Sequence, residues 1–151
     1  MKCAGERTIS VYHLGGFLFV SGSVVSVSPS SRAGLATGGL LLIDTGASPM
    51  WVDAKVASDL GLCIVRTMPV LSSSSIEDRA VLSATVTLDS TAGPYEFPEI
   101  EVLPCMGLSD GFAYNPKMIG LTTPVIGALG INELCHFDLR IRRGVASITI
   151  P

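Results

Sequence analysis

The chain has 151 residues, of which 48% are hydrophobic and 15% charged, and its formal net charge is −3. This length and composition allow a substantial buried core, which excludes an intrinsically disordered protein. The negative balance and the missing basic stripe also argue against nucleic-acid binding. We therefore expect one domain over residues 1–151 that binds no nucleic acid.

The first forty residues contain an apolar stretch rich in Gly and Ser, "LGGFLFVSGSVVSV" at residues 14–27. The stretch is too short to span a bilayer, so we expect no membrane partner. A signal peptide is one interpretation of it. Its alternation favours a hairpin of two strands, residues 17–20 and 23–27, turning at Ser21-Gly22. With the Pro-, Ser- and Gly-containing loop that follows, residues 1–39 are predicted to be a hairpin and loop extension of uncertain role.

The next element is an apolar strand, residues 40–43, which ends at the carboxylate of Asp44 in "LLIDTGAS". A strand without polar residues is typical of one covered on both faces. A carboxylate beside it needs hydrogen-bond donors or a proton. Gly46 lets backbone amides approach Asp44, and Thr45 adds a hydroxyl group. The pattern predicts an Asp held in a fixed orientation, and an ordinary Asx turn is the alternative.

The rest of the chain is predicted to be mostly strands with one or two short helices. Asp53 is a good N-cap for a helix that ends at Gly61. Two strand-like runs flank the serines at positions 72–75, and "FPEIEVLP" alternates as a strand does. After a loop at residues 107–123, the sequence predicts a strand at Val125-Ile126-Gly127, a helical turn in "ALGINELC" and two strands around Arg143-Gly144.

The four cysteines, Cys3, Cys63, Cys105 and Cys135, lie far apart and show no spacing typical of a zinc site. They favour small buried thiols in a reducing compartment such as the cytoplasm. One or two disulfides are the alternative. No metal site or cofactor is predicted.

These motifs together resemble the retropepsin-like aspartic proteases, the single-domain relatives of retroviral proteases. The resemblance depends on four features in order: the apolar strand with Asp44-Thr45-Gly46-Ala47-Ser48, the helix ending Asp59-Leu60-Gly61-Leu62, the hairpin near residues 71–81, and the triplet Val125-Ile126-Gly127 before a helix and closing strands. Asp-Thr-Gly-Ala alone matches many unrelated sequences by chance. Its combination with the later triplet is far more specific.

The resemblance implies an all-β fold, a closed, barrel-like acid-protease half-domain, and an aspartic endopeptidase without a cofactor. It implies that Asp44, Thr45 and Gly46 are catalytic. Ala47 and a flap at Ser72, Ser73, Ser74 and Ser75 would contact a peptide or protein substrate, and Val125, Ile126 and Gly127 would support the site. Only Asp44 stands in an Asp-Thr-Gly or Asp-Ser-Gly triplet. The second aspartate must therefore come from another copy of the chain in a homodimer.

A second interpretation belongs to another class of protein. The chain would keep the protease-like fold as a peptide-binding or dimerisation module without catalytic turnover. The intact Asp44-Thr45-Gly46 triplet favours the enzyme, whereas the serines at the flap tip and the long leading segment favour the module.

Overall fold

The computed structural model describes residues 6–27, 34–71, 73–118 and 122–151. The described residues form eleven strands, three α-helices and one 3₁₀ turn. The strands are β1 (Arg7–Ile9), β2 (Val11–Leu14), β3 (Phe17–Val25), β4 (Ala36–Ile43), β5 (Met50–Asp53), β6 (Cys63–Leu71), β7 (Ile76–Leu88), β8 (Tyr95–Cys105), β9 (Val125–Leu129), β10 (Asp138–Arg142) and β11 (Val145–Ile150). The helices are α1 (Ala54–Leu60), α2 (Leu108–Ala113) and α3 (Ile131–Leu134), and the 3₁₀ turn is Pro116–Met118.

The larger sheet has eight strands in the order β2-β3-β4-β9-β5-β8-β7-β6. One edge of β3 pairs with β4, and its other edge pairs with β2 and then with β7. The β3–β7 pairing closes six of the strands into a ring. Within this ring β4 and β9 run parallel, as do β5 and β8. The prediction of a closed, mainly β fold is therefore confirmed.

The smaller sheet joins the two ends of the described chain. It has the order β1-β11-β10, with both pairs antiparallel. The outer edge of β1 is bound by Thr91, whose N–H donates to the carbonyl of Thr8 at 2.9 Å. In return the Thr8 N–H donates to Thr91 Oγ1 at 3.0 Å. The sheet edge at β1 is thus already hydrogen-bonded within the chain.

The core fills the inside of the ring. Alternate residues of β3 and β7 are buried, because side chains along a strand point to opposite faces. Every residue of β9 is buried, as expected for a strand covered on both faces. Each large side chain that is fully buried stabilises the fold by about 1.5–3 kcal/mol relative to an exposed one. Such side chains include Phe19, Leu41, Met50, Leu88, Leu103, Ile126, Leu129 and Ile148.

The predicted hairpin turn at Ser21-Gly22 is wrong, because β3 runs through both residues without interruption. The hairpin turns instead between β2 and β3, at Gly15 and Gly16, which have φ of 58° and 87°. Gly22 has a different role. A Cβ there would collide with the Thr87 carbonyl of β7, so the glycine permits the close approach that closes the ring. Residues 28–33 of the predicted loop lie outside the described residues.

The segment predicted as a loop at residues 107–123 contains α2 and the 3₁₀ turn. Phe112 of α2 makes edge-to-face contacts with Phe17 and Phe19, at centroid distances of 5.2 and 5.5 Å. This packing against β3 gives a short, glycine-containing helix a tertiary partner. The prediction of an irregular loop here is therefore wrong for Leu108–Ala113.

The predicted burial of the cysteines is wrong for two of them. Cys63 and Cys135 are exposed, and Cys105 is half-buried. Cys3 lies outside the described residues.

Candidate active site

Asp44 lies directly after the last residue of β4, where the chain enters a tight turn. The carboxylate oxygen Oδ1 of Asp44 accepts the Gly46 N–H at 3.0 Å. The Asp44 carbonyl accepts the Ala47 N–H at 3.1 Å. Asp44 is half-buried, and both Thr45 and Gly46 are exposed. Residues 44–48, here called the Asp44 turn, therefore present an oriented carboxylate at the surface of the described chain.

The Asp44 turn is attached at both ends to the segment that joins β9 to α3. The Asp44 N–H donates to the Leu129 carbonyl at 3.0 Å, continuing the parallel pairing of β4 with β9. The Ile131 N–H donates to the Ala47 carbonyl, also at 3.0 Å. A Cβ at Gly130 would lie 2.5 Å from that carbonyl oxygen. Only glycine fits between these two hydrogen bonds, so Gly130 belongs to the structure of the site.

The predicted support residues Val125, Ile126 and Gly127 are buried in β9. Val125 pairs with Leu40 and Gly127 pairs with Leu41, so this part of β9 lies beside the strand that leads to Asp44. A Cβ at Gly127 would lie 2.7 Å from the carbonyl oxygen of Trp51, on β5. The triplet thus packs between β4 and β5, and its importance for the site stays a prediction.

Sequence reasoning missed the residues that contact the Asp44 turn directly, Leu129, Gly130 and Ile131. The sequence did contain a signal for them. Ala128-Leu129-Gly130 repeats the pattern of two apolar residues and a glycine, three residues after the triplet that we singled out.

Ala47 is the most buried residue of the Asp44 turn, with 5% of its surface exposed. Its backbone hydrogen-bonds at both the N–H and the carbonyl. The structure places Ala47 where it anchors the turn. Contact between Ala47 and substrate stays a prediction.

The predicted flap is the end of the β6–β7 hairpin. Leu71 and Ile76 form the last pair of this hairpin, and both side chains are exposed. Ser73, Ser74 and Ser75 are exposed between them, and Ser72 lies outside the described residues. Residues 72–75 are here called the Ser-rich tip.

The β6–β7 hairpin is anchored to the ring at Arg79. The guanidinium of Arg79 lies over the ring of Trp51 on β5, 5.9 Å from its centroid. Such a cation–π contact is worth about 0.5–1 kcal/mol at an exposed site. Arg79 also pairs with Glu77 at 3.8 Å. On β7 the residues on the tip side of Arg79, 76–78, are exposed, whereas β6 is exposed over most of its length.

Two kinds of feature are absent from the described residues. The His, Cys, Asp and Glu side chains of these four ranges form no group of three or more that could hold a metal ion. None of the helices in the same ranges is long and apolar enough to cross a membrane.

The structure is similar to a solved structure, that of a retropepsin-like aspartic protease from Rickettsia conorii. The TM-score is 0.54 and the sequence identity is 20%, over 97% of this chain and 91% of that chain. No protein-family model and no curated protein matches the sequence. The chain therefore has a retropepsin-like fold.

Proposed function

We propose that the chain is an aspartic endopeptidase whose active site combines the Asp44 turns of two copies. The observation that carries the proposal is the exposed turn that fixes the Asp44 carboxylate, found in a chain with a retropepsin-like fold. The similar Rickettsia protein is described as an aspartic protease, which supports the same chemistry. The part of the fold that would carry it is the junction of β4, β9 and α3.

Two carboxylates are needed because peptide hydrolysis requires both a base and an acid. At a separation of about 3 Å and an effective dielectric of about 20, two ionised carboxylates repel by about 5 kcal/mol. The pair therefore holds one proton between its members and titrates as a unit. Aspartic proteases are the standard example of this behaviour.

In the proposed reaction, one Asp44 is ionised and its twin is protonated. The ionised carboxylate takes a proton from water as the water oxygen attacks the peptide carbonyl carbon. The protonated carboxyl group donates to the carbonyl oxygen, which gives a neutral tetrahedral intermediate. The carboxyl group that took the proton from water then gives it to the leaving nitrogen, while its ionised twin takes a proton from one hydroxyl of the intermediate; the C–N bond breaks, and a carboxylic acid and an amine are released. Two Thr45 hydroxyls, exposed beside the carboxylates, would hydrogen-bond across the two-fold axis.

The proposed substrate is an extended peptide covered by the Ser-rich tip. An extended peptide can pair with the backbone of a β-hairpin while alternate side chains enter pockets. The exposed β6–β7 hairpin offers such a backbone, and its Leu71 and Ile76 offer apolar contacts. Closure of a hairpin over the peptide would exclude bulk water from the reaction.

The first experiment compares the parent chain with Asp44→Asn on a mixed peptide library between about pH 4 and 7. General acid–base catalysis contributes about 10²–10⁴-fold, so we expect Asp44→Asn to lose at least that much activity. The matched control is Asp59→Asn. Asp59 also precedes a glycine by two residues, but it lies on the exposed side of α1 and pairs with Lys55. We expect the control to cleave like the parent.

The second experiment tests whether the site needs two copies. The parent is mixed with an equal amount of Asp44→Asn and allowed to exchange subunits. If each active dimer needs two intact Asp44 side chains, random pairing lowers the total activity to about half. Unchanged activity would contradict a shared site. In the first experiment, equal cleavage by the parent and by Asp44→Asn would exclude Asp44 as the catalyst. A parent chain that forms a stable dimer and cleaves no peptide would indicate a peptide-binding module.

A further inference from the structure

Glu133 is a buried carboxylate for which the proposed reaction has no use. It lies in α3, and only 5% of its surface is exposed. Burial raises the pKa of Glu133. The hydrogen bonds that its carboxylate accepts from the backbone N–H groups of Glu133 and Gly130 counteract this rise in part, and so does the charge of His136. A buried carboxylate is costly unless it is hydrogen-bonded. The contacts of Glu133 therefore indicate what its burial achieves.

The carboxylate of Glu133 reaches back to the residue that precedes α3. Its Oε2 atom accepts the N–H of Gly130 at 3.0 Å, in a buried hydrogen bond. The carbonyl of Gly130 accepts the Leu134 N–H, also at 3.0 Å. Both backbone groups of Gly130 are thus bound to α3. The side chain acts as half of a capping box around a glycine.

Gly130 stands between the two residues that hold the Asp44 turn. Leu129 accepts the N–H of Asp44, and Ile131 donates to the carbonyl of Ala47. Each is one peptide unit from Gly130, so rotation of the Gly130 backbone would displace both hydrogen bonds. An N–H that loses a buried acceptor is driven to find another, at the cost of such a rotation.

We propose that Glu133 is a positioning residue: by holding the N–H of Gly130, it fixes the segment 129–131 and, through this segment, the orientation of the Asp44 carboxylate. The catalytic consequence rests on the proposed function of Asp44. Glu133 does not touch the substrate. It acts through the backbone of its own helix end.

A second buried carboxylate provides the control. Asp53 is 4% exposed, and it caps α1 through the N–H groups of Lys55 and Val56. Its other oxygen accepts the Ser109 N–H at 3.0 Å. Asp53 therefore matches Glu133 in burial and in bonding to backbone amides, but its partners belong to α1 and α2. Neutral variants of Glu133 and Asp53 can therefore be compared. An effect of losing any buried helix cap would appear in both, whereas an effect on the Asp44 turn would appear only in the Glu133 variant.

The experiment uses the full chain and four variants: Glu133→Leu, which removes the acceptor, Glu133→Gln, which keeps an acceptor oxygen, Glu133→Asp, which is one methylene shorter, and Asp53→Asn. Amide hydrogen exchange is measured at Asp44 and Ile131. For one peptide that the parent cleaves, kcat and KM are measured separately. The Asp variant replaces the Leu variant if the latter does not fold cooperatively.

We expect faster exchange at Asp44 and Ile131 in Glu133→Leu, with kcat lowered about 10- to 100-fold and KM unchanged, because small displacements of a catalytic group cost this much. Glu133→Gln should restore both readouts. Asp53→Asn keeps one acceptor oxygen for α1 but replaces the other with an NH₂ group, so it should speed exchange at Ser109 instead, with kcat as in the parent.

Parent-like exchange at Asp44 and Ile131 in Glu133→Leu overturns the positioning role, and so does a kcat equal to that of the parent. A loss of kcat in Asp53→Asn as large as in Glu133→Leu also overturns it, because the effect would then be one of general stability. A parent chain that cleaves nothing overturns the proposed function itself. In that case the exchange data still decide whether Glu133 fixes the turn.

Discussion

The Asp44 turn and the Ser-rich tip both connect strands, but the fold holds them in opposite ways. Hydrogen bonds to Leu129 and Ile131 tie the turn to a neighbouring element at both ends. The Ser-rich tip is flanked by Leu71 and Ile76, which are 79% and 71% exposed. Segments with few buried contacts open locally at little cost in free energy, whereas segments that are hydrogen-bonded to a neighbouring element do not. This contrast fits the proposal of a fixed catalytic carboxylate and a separate hairpin end that adapts to a peptide.

Gly130→Ala should disrupt the two hydrogen bonds that hold the Asp44 turn most directly. The new Cβ would lie 2.5 Å from the Ala47 carbonyl oxygen, a backbone atom that cannot move without moving the turn. We expect the free energy of unfolding to fall by about 1–3 kcal/mol, as for overpacked cores. Cleavage should fall by about 100-fold. Urea denaturation and kcat/KM measure the two effects.

Two other glycines serve as controls for this substitution. At Gly127 a Cβ would lie 2.7 Å from the Trp51 carbonyl, so Gly127→Ala should cost similar stability but less activity. At Gly111 in α2 a Cβ meets nothing within 4 Å, and Gly111→Ala should stabilise the helix by about 0.5–1 kcal/mol. If Gly127→Ala and Gly130→Ala lose activity equally, the turn has no special dependence on Gly130.

The local elements of this contrast could be predicted from the sequence. An apolar run predicted the second half of β4, residues 40–43, and the position of Asp44 at its end. The prediction of a loop up to residue 39 is wrong for residues 36–39, which form the first half of β4. Asp53 and Gly61 predicted both ends of α1, and the structure shows the Asp53 cap and a left-handed Gly61. In each case the signal lies within a few residues of the feature that it specifies.

The features that depend on distant contacts could not be predicted in this way. The pairing of β3 with β7 closes the ring across more than sixty residues, and nothing near Ser21-Gly22 distinguishes that crossing from a turn. Helix α2 depends on the contacts of Phe112 with β3. Glu133 looks like a solvated charge in "INEL", and only its position behind the Asp44 turn makes it a buried cap.

The Ser-rich tip is tested by Ile76→Ser, at the first residue of β7, which directly follows the tip. Because the side chain is 71% exposed, we expect the free energy of unfolding to change by less than about 0.5 kcal/mol. If the tip covers the peptide, loss of one apolar contact should cost about 1 kcal/mol of binding and raise KM about fivefold. The value of kcat should not change.

The control for the tip is Ile64→Ser on β6. Ile64 is 66% exposed and belongs to the same hairpin, but it pairs with Leu82 at the far end from the tip. Its KM should equal that of the parent. A KM unchanged in Ile76→Ser as well would remove the reason to regard the Ser-rich tip as a cover.

The smallest expected effect concerns Glu133, which supports the Asp44 turn. It is the contribution of Glu133 to the pH dependence of the unfolding free energy. Because burial raises its pKa above the ordinary value of 4.5, the folded chain binds this proton more tightly than the unfolded chain does. The contribution is complete below pH 4.5 and is lost as the pH rises through the raised pKa. The charge of His136 counteracts this rise of the pKa in part. Of the elements in contact with α3, β5 carries Asp53, β9 carries no titratable side chain, and the Asp44 turn carries Asp44.

Glu133→Gln removes this proton, so the difference in unfolding free energy between variant and parent should change in favour of the variant as the pH rises from 4.5. Urea denaturation from about pH 4 to 8 measures it. Glu101→Gln is a control of opposite sign, because its hydrogen bond with Arg66 lowers the pKa of Glu101. If the Glu133→Gln curve runs parallel to that of the parent, burial does not perturb Glu133. Glu133 would then hold the Asp44 turn through the geometry of its hydrogen bond with Gly130 alone. Amide exchange at Asp44 and Ile131 measures that role independently of charge.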